Sequence, residues 1–554
     1  MTKSTDMSDV PEHARPQDLR RWPRRVGVTA LFAGLTALMT WPQVTVLHTH
    51  AWPHHDVYFN LWRLRWFAHA LATSPSRLFD GNQFYPERGV LAYSDAMLVE
   101  GIIGTPLFWL GLPPLLVHNI LLLGAIVASA VGAFVLARHL SGSVAGGIVA
   151  GVIFAFAPYR IDHYMHMELQ WTIWMPWALW ALQRTLETRR TRFGVLTGVF
   201  VALQMLSSIY YGIFLALLLG LVTLVQFIPL PLRQMVLSVR ALLAGAVIAI
   251  CVSWAYSLPY ASASSRVGTR GPHEIRMFSA KPRSYLSATE YNLLYGNTRR
   301  GTPERRLFPG IAAMLLALIG LLLVAPPVWT VAYLIGIVAA FELSLGLNSH
   351  IYTVLHEHIG TFRGLRAPAR AWVLGLLFLA VLAAHGWAAL TASARPILRR
   401  ALAFGIVGVL LLEYWVAPLH LVAFDNTPPP LYAWLARQPR GLVAEFPMAP
   451  PNAPPGEDPR YLYMSTFHWM PLVNGYSGYF PPTYLRRLER VSGFPDQRSV
   501  NNLRGEGVKY LIVHSATYTA AEYTEVLETL SAADLRALGR FYDGRNNSMV
   551  FALD

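Results

Sequence analysis

Acidic and imidazole side chains gather at three places in this chain, and each gathering has a spacing that permits chemistry. His54-His55-Asp56 opens the run VYFNLWRLRWFAHAL, so a carboxylate stands beside two imidazoles at the start of a helix. Such a carboxylate can act as a general base; it can equally cap its own helix by accepting from the amides of Tyr58 or Phe59. Asp95, in AYSDAMLVEG, precedes another apolar helix and carries the same two readings. In FAPYRIDHYMHMELQW, Arg160, Asp162, His163, His166 and Glu168 crowd a short connection. There His163 and His166 lie three apart and Asp162 and His166 four apart, which on a helix shares one face. That face suits a metal, together with Asp56 or Asp95, or a phosphate held with Arg160; a polar cluster that merely stays wet is the plainer reading.

Cations and hydroxyls supply further candidates. Arg363, Arg366 and Arg370 fall within TFRGLRAPARAW, where planar guanidinium groups match a phosphate, or simply snorkel to headgroups. Glu342 sits inside an apolar helix, an expensive place for a carboxylate unless it faces a bundle interior. Ser207, Ser208, Tyr210 and Tyr211 offer a surface for a sugar, or an aromatic belt.

The elements that must position these residues are membrane helices. Of 554 residues, 54% are apolar and 14% charged, a balance foreign to a soluble protein. Crossing about 30 Å of hydrocarbon takes about 20 residues, and apolar runs that qualify or nearly qualify fall near 26–47, 114–137, 143–158, 169–183, 193–209, 211–228, 241–259, 307–325, 328–346, 368–390 and 401–419. The segment 97–112 is a re-entrant helix, an interfacial helix or a further crossing. About eleven spans result, and the fold class is mainly α, a polytopic helical membrane protein with a small α/β unit at its C-terminal end. Three segments divide the chain: a tail over 1–25, a transmembrane region over 26–419 with outer loops 48–96 and 260–306, and a soluble unit over 420–554.

Arginine placement assigns sides. Arg20, Arg21, Arg24 and Arg25 precede the first span and put the N-terminus in the cytoplasm; Arg138, Arg184, Arg189, Arg190, Arg192, Arg233, Arg240, Arg395, Arg399 and Arg400 then fall on the same side. The residues singled out above all land on the opposite face, apart from Glu342, which lies in the membrane. Loop 260–306 breaks the rule, since it falls outside with nine Arg and Lys against three glutamates. Either it binds something anionic or the span count is off by one. Beyond Pro428-Pro429-Pro430, strands are expected at 442–446, 510–513 and 548–553, and an amphipathic helix over 520–530.

Absences narrow the function. A net charge of +14 is spread over helix ends and one loop, so nucleic acid is not expected and lipid headgroups or phosphates are. One cysteine, Cys251, rules out disulfides within the chain. No phosphate-binding glycine loop, dinucleotide fingerprint or serine-hydrolase elbow is present, and no nucleotide cofactor is expected.

The order of a first-loop Asp, an interfacial helix, many spans and an outer C-terminal unit resembles GT-C-type membrane glycosyltransferases. More narrowly, HHDVYFNLW, NQFYPERG, FAPYRIDHYMH, GTFRGLRAPAR and STFHWMPLVNGYSGYFPP resemble bacterial multi-spanning proteins described as glycosyltransferase-like. The resemblance implies Asp56 as catalytic base, Asp95 as the second acidic residue, and donor or divalent-metal contacts from Asp162, His163 and His166, with His54 and His55 nearby. It also implies a polyprenyl-phosphate sugar donor held by Arg160, Arg363, Arg366 and Arg370, and a glycan, lipid or protein acceptor at the outer face of the cytoplasmic membrane. A lipid-phosphate transporter built on Glu342, and a non-catalytic envelope assembly protein, are the rival expectations.

Overall fold

The computed structural model describes residues 22–323, 327–424, 426–544 and 546–553, so most of the expected tail over 1–25 lies outside it. Among the described residues five helices are long and apolar enough to cross a bilayer: Pro114–Ser141, Val144–Asp162, Ile209–Phe227, Leu232–Val267 and Pro368–Leu390. Five shorter apolar helices accompany them, at Val26–Met39, Leu98–Trp109, Thr191–Ser207, Ile311–Leu323 and Val328–Ser344. Helices Trp174–Thr188 and Pro396–Glu413 occupy the places expected for spans near 169–183 and 401–419 but belong to neither set. In the first case residues 167–173 are spent on a short turn of helix and coil; in the second, Arg399, Arg400 and Glu413 interrupt the apolar run.

In a bilayer, helices associate by close packing rather than by escape from water, which favours small residues at their contacts. Helices Thr191–Ser207 and Leu232–Val267 show this plainly. A Cβ on Gly194 would run into the carbonyl of Ala241, and one on Gly198 into the carbonyl of Gly245. The four-residue spacing of Gly194 and Gly198 puts both on one face, and the backbones touch along it. Gly386 meets the Leu316 carbonyl in the same way, joining Trp372–Leu390 to Ile311–Leu323.

Helix breaks deliver the polar segments to one end of this bundle. Pro158 follows Val144–Phe156 and starts a single turn, Pro158–Asp162; Ser208 is extended between Thr191–Ser207 and Ile209–Phe227. At that end a two-stranded antiparallel ribbon pairs His50–Ala51 with Val422–Ala423, tying the start of the first loop to the segment after the last membrane helix.

Beyond Pro430 a four-stranded sheet forms in the order Leu442–Phe446, Val508–His514, Asn547–Ala552, Arg536–Tyr542, its first pair parallel and the others antiparallel. The three expected strands are present. Arg536–Tyr542 was not expected, because RALGRFY has no apolar alternation and forms an exposed edge. Helix Ala520–Ala532 starts with a reciprocal Thr519–Glu522 capping box.

This unit is hydrogen-bonded to the first loop. Asn82 accepts from the amide of Leu472 at 2.7 Å, while Tyr85 and Phe84 donate to Leu472 and Asn474 at 2.8 and 2.9 Å. Arg487 adds a fork to the carbonyls of Tyr85 and Val473, at 2.6 and 2.9 Å.

Candidate active site

Helix His55–Thr73 is capped by His54, whose Nδ1 accepts the Asp56 amide at 3.1 Å. The capping role open to Asp56 is thus filled by its neighbour, and the Asp56 carboxylate turns elsewhere. Its Oδ2 lies 2.8 Å from Nε2 of His166. Its Oδ1 accepts from the Tyr476 hydroxyl at 2.6 Å, across 420 residues of sequence. His54 Nδ1, already an acceptor, approaches Oδ2 only to 3.5 Å. Burial works against charge on Asp56, but His166, then His54 and the Tyr476 hydroxyl, hold its carboxyl well below the usual range. Burial likewise opposes charge on His166, and Asp56 more than offsets it, raising the imidazole above its ordinary value. The two form an ion pair.

Asp95 is a cap, though not of the helix that follows it. Its Oδ1 accepts the Ile209 amide at 2.9 Å and its Oδ2 the Ser208 hydroxyl at 3.3 Å, so it closes the start of helix Ile209–Phe227. Burial and then Glu168 push its carboxyl up to about 6, against the pull of the Ile209 amide, Arg370 and Arg63. Arg63 links these parts: it donates to the Asp95 carbonyl and to Asn60, and reaches Glu168 at 3.2 Å.

Behind this face lies a closed charge network. Arg370 donates to Glu304 Oε1 from Nη2 at 2.6 Å and Nε at 3.1 Å, and Arg306 pairs with Asp162 at 3.0 Å. Burial alone would raise Glu304, but Arg370 and then His163 bring it down to about 2. His163 faces Glu304 at 3.6 Å, and burial pulls it down to about 3, so it is neutral. Arg160 is buried and spent on Thr172 and the Gln170 carbonyl, at 2.7 and 3.1 Å. The basic loop is matched to acids of the protein in part: Arg306 to Asp162, Arg299 to Glu290, Arg270 to Glu274.

A cavity of about 980 Å³ opens in front. Of the residues singled out in the sequence, Asp56, Asp95, His166, Glu168, Tyr210, Arg366 and Arg370 line it. The others do not. Asp162, His163 and Arg160 belong to the network behind; Tyr211 is buried with its hydroxyl unpaired; His54 and His55 stand beside the helix start. Arg363 donates to the carbonyls of His356 and Glu357, sealing the end of helix His350–His358. Glu342 accepts from Ser349 at 2.7 Å and lies off the cavity.

The expected metal ligands are dispersed by this arrangement. Asp162 pairs with Arg306, His163 faces Glu304, Asp95 caps a helix, and among the described residues no group of three or more His, Cys, Asp or Glu is set to hold a metal. These donors do not fit a divalent ion.

Arg63 and Tyr476, which line the cavity, were not singled out in the sequence, and Arg270 counted there only among the basic residues of loop 260–306. Arg63 carried a signal, since seven residues from Asp56 is two helical turns and one face. Arg270 guanidinium lies over the Tyr479 ring at 3.3 Å and donates to the Gly478 carbonyl at 2.6 Å. The cavity also has an apolar lobe, walled by Ile213, Ala216 and Trp254 from two of the spanning helices.

No protein-family model matches the chain, and no curated protein matches it. Solved structures do. The arabinofuranosyltransferase AftD from Mycobacteria superposes with a TM-score of 0.64 at 17% identity, over 96% of this chain and 40% of that one. The chain thus spans about two fifths of the length of AftD. The Archaeoglobus fulgidus oligosaccharyltransferase, solved with a tethered acceptor peptide, gives 0.48 at 12% identity, over 96% of this chain and 74% of the other. ArnT from Cupriavidus metallidurans, bound to undecaprenyl phosphate, gives 0.44 at 13%, over 96% and 98%. Those two overlaps are loose; the first shows that the chain shares its fold with AftD.

Proposed function

We propose that this chain is a membrane glycosyltransferase that moves a sugar from a polyprenyl-phosphate donor to an acceptor hydroxyl, with inversion, its N-terminus in the cytoplasm and its C-terminal unit outside. The observation that carries this reading is one cavity with two characters: Asp56 under Tyr476 and His166 at its polar end, and Ile213, Ala216 and Trp254 of two spanning helices at the other. A phosphate joined to an isoprenoid has the same division. The GT-C-type fold shared with AftD supports the reading.

Asp56 is the base. A carboxylate offers about four lone-pair positions; Tyr476 and His166 take two, which leaves room for an acceptor hydroxyl. As that hydroxyl attacks the anomeric carbon and the bond to phosphate breaks, Asp56 takes the proton and its charge faces the positive sugar ring. The leaving phosphate gathers charge near Arg366, whose nearest carboxylate is Glu274 at 3.9 Å, and near Arg370, already shared with Glu304. Arg366 is the freer of the two. Incubation with radiolabelled polyprenyl-phosphate sugars and envelope glycan is expected to give transfer by the wild type and none by folded Asp56→Asn. Transfer by both would overturn the assignment of Asp56; transfer by neither would overturn the donor class.

A further inference from the structure

A second concavity, of about 450 Å³, lies on another side of helix His55–Thr73, and nothing in the proposed transfer uses it. Its walls are Arg65 and His69 of that helix, Phe467 and Trp469 of the C-terminal unit, and Phe108 and Trp109 at the end of helix Leu98–Trp109. We propose that this groove is a binding site for one anionic phospholipid, with the phosphate on Arg65 and the acyl chains running down past Trp109.

Charge comes first. Arg65 is half-buried between aromatic rings, its guanidinium 4.9 Å from the Phe467 centroid and 5.9 Å from that of Trp469. Its one hydrogen bond goes to the Thr466 hydroxyl at 2.8 Å, and among the described residues it has no carboxylate partner. Buried charges are ordinarily paired, and Arg63, Arg306 and Arg370 follow that rule, on Glu168, Asp162 and Glu304. Arg65 keeps spare donors toward a groove lined by no Asp or Glu at all. His69 stacks flat on Trp469 at 4.2 Å and 12°, and Arg440 donates to the Trp469 carbonyl at 2.8 Å, adding positive potential on the same side. An anion is the missing member.

Depth identifies which anion. The groove floor includes Leu112 and Pro114, and Pro114 is the first residue of the spanning helix Pro114–Ser141. The site therefore sits at the level where a span emerges and where headgroups and interfacial tryptophans reside. Trp109 is 61% exposed with its indole N–H fixed on the Ala68 carbonyl at 3.2 Å, and Leu110 is 76% exposed beside it. Below the guanidinium the surface is thus apolar and lipid-facing, which matches acyl chains and not a free sugar phosphate. Because it joins the first-loop helix to the C-terminal unit, a seated lipid would also brace Phe467 and Trp469 against helix His55–Thr73.

Native mass spectrometry of the delipidated full chain, in micelles holding equimolar palmitoyl-oleoyl phosphatidylglycerol and phosphatidylcholine, tests this without any transfer assay. The expected result is one retained phosphatidylglycerol, preferred at least fivefold, with that preference lost in Arg65→Gln, partly kept in Arg65→Lys and unchanged in Arg363→Gln. Equal retention of the two lipids by the wild type would overturn the proposal, as would an Arg65→Gln variant that keeps the preference. Full displacement by millimolar inorganic phosphate would overturn it too, by showing a site for soluble anions. The headgroup preference and phosphate competition are read on the wild type, so they stand even if the variants misfold.

Discussion

Two charge-rich regions meet on either side of the segment 158–170, and they differ in whether they face an open volume. In the network behind, Arg370 pairs with Glu304 and Arg306 with Asp162 among buried side chains, and Arg160 bonds Thr172 and the Gln170 carbonyl. In the cavity face, Asp56 accepts from Tyr476 and His166 yet keeps open lone pairs, and Arg366 has only a distant carboxylate. What separates them is the open volume that Asp56 and Arg366 line and that Asp162, Arg306 and Arg160 do not. A closed network holds loops in place, whereas an open one retains capacity for a substrate.

The sharpest break of this contrast compares one carboxylate from each region. Asp56→Asn is expected to reduce kcat by about a thousandfold or more, roughly 4 kcal/mol, while lowering the Tm in detergent less than Glu304→Ala does, since His166 at the cavity can release its proton once its partner is neutral. Glu304→Ala is expected to do the converse first, stranding Arg370 and destabilising the fold by roughly 3 kcal/mol. The double change Glu304→Met with Arg370→Met should recover most of that Tm, since a buried pair replaced as a pair leaves no orphan charge. A Tm loss in Asp56→Asn comparable to that of Glu304→Ala would erase the distinction between the regions.

A finer break acts through Tyr476. Its hydroxyl is one of the groups holding Asp56 ionised, so in Tyr476→Phe the Asp56 pKa rises toward its ordinary value. The acid limb of kcat/KM against pH should therefore move to higher pH, by roughly one unit if one hydrogen bond to a charged group is lost, while activity at neutral pH, where Asp56 stays ionised, changes less. An unmoved limb with lower activity would reduce Tyr476 to packing.

How far the sequence alone reached follows the same division. Apolar run length located the apolar helices, five of them long enough to cross a bilayer, and turn chemistry with β-rich runs located three of the four strands of the C-terminal sheet, because both signals are local. Asp56, Asp95 and His166 were legible from residue type and side of the membrane. Asp162 and His163 looked equivalent to them, since the groups they face, Arg306 and Glu304, lie more than a hundred residues away and only the folded chain brings them together. Tyr476 was invisible for the same reason: its partner stands 420 residues upstream, and a tyrosine in an aromatic-rich loop has no local mark.

The smallest expected effect tests the support beneath Tyr476. Asp458 is fully buried, accepting from Asn474 at 2.9 Å and from the Tyr484 hydroxyl, with no cation beside it. Asn474 also holds the amide of Glu445, so this carboxyl anchors the strand of chain that ends at Tyr476. Burial pushes Asp458 up to about 7, only partly offset by Tyr484, Asn474 and the Gly475 amide, whereas Asp56, buried beside His166, moves the opposite way. With the folded value above the unfolded one, the folded state holds the extra proton between them. Its stabilisation is complete below the unfolded pKa, near pH 4, and is lost as pH rises through 7. Thermal melts of the full chain should therefore show Tm falling by a few degrees from pH 5 to pH 8, with a flatter slope in Asp458→Asn, and an identical slope in both proteins would place the buried proton elsewhere.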